Sequence, residues 1–143
     1  SGLVKIKLNK QKKLYLGNLN SKRDWGHAQD YVRAMWMMMQ HKNADDFVIA
    51  SGETKTIKEF VNIVCKKLNM QVYWKGKGIA EKCFLKNSNR IIIECNKKYF
   101  RPSEVPYLKG DCSKAKKILK WKPLISLNQM IEEMIYYEKQ QIN

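Results

Sequence analysis

Within ten residues, Arg23-Asp24-Trp25-Gly26-His27-Ala28-Gln29-Asp30-Tyr31-Val32 carries a guanidinium, two carboxylates, an indole and an imidazole. A second cluster, Tyr99-Phe100-Arg101-Pro102-Ser103-Glu104, lies far along the chain. A guanidinium offers a rigid fork of donors matched to phosphate oxygens and keeps its charge at any physiological pH. Pro102 fixes its own φ and restricts Arg101 to extended backbone, so Arg101 and Glu104 can project from one stiff turn. A carboxylate at Glu104 could accept from vicinal hydroxyls, as acidic residues do for riboses. Arg23, Arg101 and Glu104 together suit a planar, doubly charged ligand such as a nucleotide diphosphate. The competing structural readings are an Arg23 pair with Asp24 or Asp30, and a local Arg101–Glu104 ion pair. His27 titrates near neutral pH, but no nucleophile is placed beside it, so it reads as structural.

Absent motifs narrow the chemistry. The sequence holds no GxGxxG turn between a strand and a helix, hence no dinucleotide fingerprint. Of the tyrosines, only Tyr73 has a lysine four residues on, Lys77, and that pair sits in a glycine-containing loop. Cys65, Cys83, Cys95 and Cys112 lack the paired spacing of a zinc site, and Cys65 falls on an apolar helix stripe. No metal is expected.

At 143 residues the chain is one domain, long enough for a modest core. No apolar run approaches the roughly 20 residues needed to span a bilayer, and no signal-peptide region leads the chain. These features point to a soluble cytoplasmic protein; Ser1-Gly2 reads as a cloning remnant or a cut end. Lys and Arg number 28 against 13 acidic residues, a net charge of +15. Such a charge attracts polyanions, and Lys97-Lys98-Tyr99-Phe100-Arg101 interleaves basic and aromatic residues as nucleic-acid binders do. The lysines are scattered, however, and fit solvated faces better. A basic nucleic-acid module therefore remains the alternative from a different functional class.

Residues 3–8 alternate apolar and basic residues, as a strand or the tail of a helix. Leu14 to Leu16 reads as a short strand closed by Gly17-Asn18. Ala28 to Met39 reads as a helix with Tyr31, Val32, Met35, Trp36 and Met39 on one face, and the methionines as core filler. Phe47 to Ala50 has the continuous apolarity of a buried, parallel strand. Thr56 and Glu59 form a capping box before Ile57, Phe60, Val61, Val64, Cys65 and Leu68 at helical spacing. Strands at Val72–Trp74 and Ile91–Ile93 flank a loop, 75–89. Ser113 to Trp121 reads as a basic helix. Ser126 and Gln129 cap a last helix with Leu127, Met130, Ile131, Met134 and Ile135 inward. The expected class is α/β.

The segments Leu16-Gly17-Asn18-Leu19, Lys22 to Val32, Ala34-Met35-Trp36, Asp46 to Glu53, Tyr99 to Val105, Gly110 to Lys116 and Trp121-Lys122-Pro123 closely resemble the C-terminal portion of GDP-mannose 4,6-dehydratases. The resemblance covers nearly the whole chain and is weakest over 75–98. That family belongs to the extended short-chain dehydrogenase/reductases. The resemblance implies a small mixed α/β substrate-binding lobe spanning 1–143, without the NADP-binding Rossmann domain and its catalytic residues. It implies that Arg23 and Arg101 hold the diphosphate of GDP-mannose and that Glu104 accepts from the ribose. A related nucleotide-sugar dehydratase or epimerase lobe is the nearest alternative. The chain on its own is then expected neither to bind NADP nor to turn over substrate, a basic substrate contact upstream of Ser1 also being absent. Trp25, Trp36 and the methionines would face the missing domain and be under-covered, which favours self-association.

Overall fold

Thr56 and Glu59 form the expected reciprocal cap: the Thr56 hydroxyl accepts from the Glu59 N–H, and the Glu59 carboxylate accepts from the Thr56 N–H. It opens α3 (Ile57–Lys67), which buries Val61, Val64 and Cys65 on one stripe. Ser126 and Gln129 do the same for the last helix, Leu127–Ile142. The computed structural model describes residues 1–101 and 105–142.

The remaining elements are α1 (Gly2–Lys7), β1 (Leu14–Leu16), β2 (Lys22–Asp24), α2 (Ala28–Gln40), β3 (Thr54–Thr56), β4 (Val72–Lys75), β5 (Lys82–Leu85), β6 (Ile91–Cys95) and α4 (Ser113–Ile118), which makes Leu127–Ile142 α5. Four strands form a mixed sheet in the order β1-β6-β5-β4, parallel only between β1 and β6. Leu14, Leu16, Cys83, Leu85, Val72 and Trp74 alternate onto its inner face and meet α1, α3 and α5 through Ile6, Cys65, Ile131 and Ile135. Each fully buried Ile or Leu there contributes about 1.5–3 kcal/mol. β2 and β3 form a separate antiparallel ribbon. A second, smaller core gathers Ala34 of α2, Ala115 of α4, Cys112, Leu119 and Trp121.

Several elements differ from the sequence reading. Of the two readings for residues 3–8, the helix is the one found, as α1 ending at Lys7, with Leu3, Val4 and Ile6 buried. The 75–89 stretch is not all loop, because β5 lies inside it and supplies the sheet's inner Cys83. Phe47 to Ala50 is irregular rather than a strand. Its burial is one-sided: Phe47 and Ile49 lean on the Trp121 cluster while Val48 stays 55% exposed.

On α2 the apolar stripe is mostly outward, with Val32, Met35, Trp36 and Met39 58–83% exposed, against the reading of the methionines as core filler and in line with the under-covered Trp36, Met35 and Met39 that the resemblance implies. The buried side is Asp30 and Ala34, with Tyr31, Met37 and Met38 packed against the small core. Trp25 is half-buried against Phe60 at 4.5 Å between ring centroids. Met134 of α5, expected inward, is exposed as well. No helix among the described residues is long and apolar enough to cross a membrane.

Asp30 explains why a carboxylate sits on the inner side of α2. It accepts from the Leu124 and Ile125 N–H groups at 2.9–3.0 Å and from Arg33 at 2.9 Å. The Trp121 indole donates to the Asp30 carbonyl at 2.9 Å. Burial pushes the Asp30 carboxyl up, but the hydrogen bonds from Ile125, Arg33 and Leu124 outweigh it and hold the group below its ordinary 3.8. Removing this carboxylate leaves the part-buried Leu124 and Ile125 N–H groups without their acceptor and Arg33 with only the Lys122 carbonyl, so Asp30→Ala is expected to cost about 3 kcal/mol. Because the folded value is depressed, the contribution is complete above the unfolded value. It fades as pH falls through the folded one. Urea midpoints of wild type and Asp30→Asn should therefore converge below about pH 4; a gap that stays constant into acid would contradict this.

Candidate nucleotide-diphosphate site

β2 is polar throughout and is a strand because both of its edges are paired. On one edge Lys22, Arg23 and Asp24 register with Thr56, Lys55 and Thr54. On the other, the Lys22 N–H donates to the Pro106 carbonyl at 2.9 Å and the Leu108 N–H to the Lys22 carbonyl at 3.2 Å. That makes a parallel bridge between Lys22 and Tyr107. Arg23 is half-buried, and its Nη1 donates to the carbonyls of Lys22 and Val105 at 2.8 and 2.9 Å.

The segment before Arg101 is fixed just as closely. The Asn96 N–H donates to the Leu16 carbonyl at 2.9 Å. A Cβ at Gly17 would lie 2.1 Å from the Tyr99 carbonyl oxygen, so only glycine lets these two backbones touch. The residues before Arg101 thus dock on Leu16-Gly17 at the end of β1, and residues 106–108 pair with Lys22 of β2. Arg101 itself is exposed. Glu104, with Pro102 and Ser103, lies outside the described residues.

The two aspartates closest to Arg23 in sequence bind backbone N–H groups and Arg33. Asp24 accepts from the Ser51 N–H at 2.8 Å and from the Gly52 N–H at 2.9 Å, where Gly52 has a φ of +80°. Asp30 is committed to Arg33 and residues 124–125. No ion pair between Arg23 and either aspartate stands among those within 4.0 Å in the described residues. The Asp24 clamp brings Ser51-Gly52 to the ribbon, a contact that no local sequence signal announced; the glycine after a short apolar run was its only trace.

His27 is the N-cap of α2: its Nδ1 accepts from the Gln29 N–H at 3.1 Å. With Nδ1 accepting, the Nε2 proton faces Glu133 at 3.0 Å. Both nitrogens thus have partners within the chain. Asn18 closes the turn after β1 by accepting from the Asn20 N–H at 3.0 Å. Among the described residues no group of three His, Cys, Asp or Glu could hold a metal ion. Burial pushes the thiols of Cys65 and Cys83 up to about 11 and about 12, away from nucleophilic use.

Two hollows adjoin the ribbon. One, of about 450 Å³, is lined by Trp25, Ser51, Glu53, Lys55 and the chain entering α5. The other, of about 290 Å³, is apolar, lies over α1, α3 and α5, and has Trp25 on its wall. The Trp25 indole N–H is buried with no acceptor among the described residues.

Similarity to known proteins gives the family of the chain. The GDP-mannose 4,6 dehydratase family matches residues 1–134. The chain belongs to that family. Its relatives named GDP-mannose 4,6-dehydratase include those of Homo sapiens, 42% identical over 134 residues and covering 94% of this chain, and Drosophila melanogaster, 47% identical over 120 residues and covering 84%. That of Yersinia enterocolitica is 42% identical and covers 97% of this chain. The chain spans 36%, 30% and 40% of those family members respectively, about a third of their length.

The fold is shared with the RMD protein of Pseudomonas aeruginosa complexed with NADPH, at a TM-score of 0.76 and 17% identity over 97% of this chain and 40% of that one. It is shared too with dTDP-glucose 4,6-dehydratase of Bacillus anthracis in complex with NAD, at 0.70 and 18% over 96% and 37%.

Gly17→Ala should force the Tyr99 backbone away and cost about 1–3 kcal/mol. Amide exchange of Tyr99 and Phe100 should quicken more than that of the sheet core. Unaltered exchange at those two amides would show that the close approach does not hold the Arg101 segment.

Proposed function

We propose that this chain forms the GDP-sugar-binding part of a GDP-mannose 4,6-dehydratase, which converts GDP-mannose to GDP-4-keto-6-deoxymannose on the route to GDP-fucose in the cytoplasm. The observation that carries the reading is the parallel bridge between Lys22 and Tyr107, which keeps the segment following Arg101 alongside the strand of Arg23. In this reading Arg23 and Arg101 neutralise the diphosphate, and Glu104 accepts from the ribose hydroxyls. A guanidinium already held by two backbone carbonyls is pre-oriented, so less rotamer entropy is lost when an anion arrives. Family membership supports the substrate class.

The residues here do not fit NADP. β1 runs through Gly17-Asn18 into β2 rather than into a helix, and the Tyr73–Lys77 spacing straddles the end of β4. Hydride chemistry is therefore assigned to the remainder of a longer polypeptide, and this chain by itself is expected to be inactive. The outward stripe of α2 supports contact with that remainder, and self-association of the isolated chain. Light scattering should show mass rising with concentration; a strict monomer throughout would contradict the latter.

In the full-length polypeptide, Arg23→Ala and Arg101→Ala should each raise KM for GDP-mannose about 10- to 100-fold, the size expected for one charge-assisted phosphate contact. KM values within twofold of wild type for both variants would refute the assignment. Detectable dehydration by the 143-residue chain alone would refute its inactivity.

A further inference from the structure

The outer face of the four-stranded sheet carries the strand side chains that the core does not take. Helices α1, α3 and α5 pack on the inner face. The pleat sends Tyr15, Glu94, Lys82 and Lys75 outward in one row across β1, β6, β5 and β4. Phe84 and Tyr73 stand opposite each other in the next row. Their rings stack at 5.1 Å between centroids with 11° between planes, and the Tyr73 hydroxyl donates to Asn89 Oδ1 at 2.8 Å. Tyr15 is 47% exposed.

Basic side chains are set among these rings. The Lys75 ammonium lies 5.5 Å from the Tyr73 centroid and 5.9 Å from that of Phe84, within reach of a cation–π contact. Lys13, just before β1, lies 5.9 Å from the Tyr15 ring. Glu94 is the only carboxylate in the four strands, and it is shared by Lys13 at 2.7 Å and Lys82 at 3.2 Å. Three lysines against one carboxylate leave positive charge over on a face that also presents Tyr15, Tyr73 and Phe84. None of these side chains lines either hollow beside the β2–β3 ribbon, and the diphosphate reading does not use them.

We propose that this outer sheet face binds single-stranded nucleic acid, a further activity of the chain. Bases stack on aromatic rings whatever their sequence, while lysines set between the rings meet the phosphates. Four strands about 4.8 Å apart span roughly 14 Å, the reach of the two or three bases that sheet-type RNA-binding domains stack. An acidic peptide would meet the lysines and leave the rings idle, so the rings decide between the two polyanions. The net charge of +15 adds a general attraction that serves either one.

The test is fluorescence anisotropy of a labelled oligouridylate of about 12 nucleotides on the full-length polypeptide, with excess GDP present to fill the nucleotide site. Oligoglutamate of equal charge is the base-free competitor. Tyr15→Leu and Tyr73→Leu are each expected to weaken binding about 5- to 10-fold. Lys75→Gln should weaken it too, and should make the slope of log affinity against log salt shallower by about 0.7. Lys139→Gln on the exposed side of α5 should change neither quantity. Tyr15 and Lys75 are exposed, so Tm should stay at the wild-type value in both variants, and weaker binding there cannot be put down to unfolding. Tyrosine variants that bind as wild type does, or oligoglutamate that displaces the label as well as unlabelled oligouridylate, would reduce the face to charge alone and overturn the proposal. Absence of binding at low salt would overturn it as well.

Discussion

Pairing on both edges of β2 is the constraint from which the rest of the molecule follows. Three polar residues, Lys22 to Asp24, have no reason of their own to be extended. They are held between β3 on one side and residues 106–108 on the other. Each side satisfies backbone groups that would otherwise be left without partners in a partly covered position. The same pairing brings together stretches near positions 23, 55 and 107 that are far apart in the chain. Without it, the arginine clusters would belong to unrelated loops.

Carboxylates do much of the fastening, and each does it by accepting backbone N–H groups. Asp24 ties the ribbon to Ser51-Gly52, Asp30 ties α2 to the chain entering α5, and Glu59 closes the start of α3. A carboxylate holding two or three donors is fixed in place. This commitment takes both aspartates beside Arg23 out of competition for its guanidinium.

The helices could be read in the sequence wherever a cap and an apolar stripe coincide, as at Thr56–Glu59 and Ser126–Gln129. Cys65 in the core could be read for the same local reason. The stripe of α2 shows where such reasoning stops. Period 3.6 identifies Val32, Met35, Trp36 and Met39 as one face but says nothing about what that face meets; the chain's own core takes Asp30 and Ala34 instead. β5 was hidden because Lys82-Cys83-Phe84-Leu85 follows glycines and carries a single fully buried residue, Cys83. The β2–β3 ribbon was hidden because its six residues contain no apolar side chain, so its strands arise from tertiary hydrogen bonds alone. At the site, residue type pointed to Arg23 and Arg101, whereas the placement of Lys55 directly opposite Arg23 needed the register.

The central claim is that cationic side chains from separate turns meet around one pyrophosphate. A crystal structure of the full-length polypeptide with GDP-mannose tests it most directly. The account predicts phosphate oxygens within hydrogen-bond distance of the guanidinium groups of Arg23 and Arg101, with the nucleotide lying along the β2–β3 ribbon. A nucleotide bound away from that ribbon, or the two guanidinium groups on opposite sides of an intact fold, would contradict it.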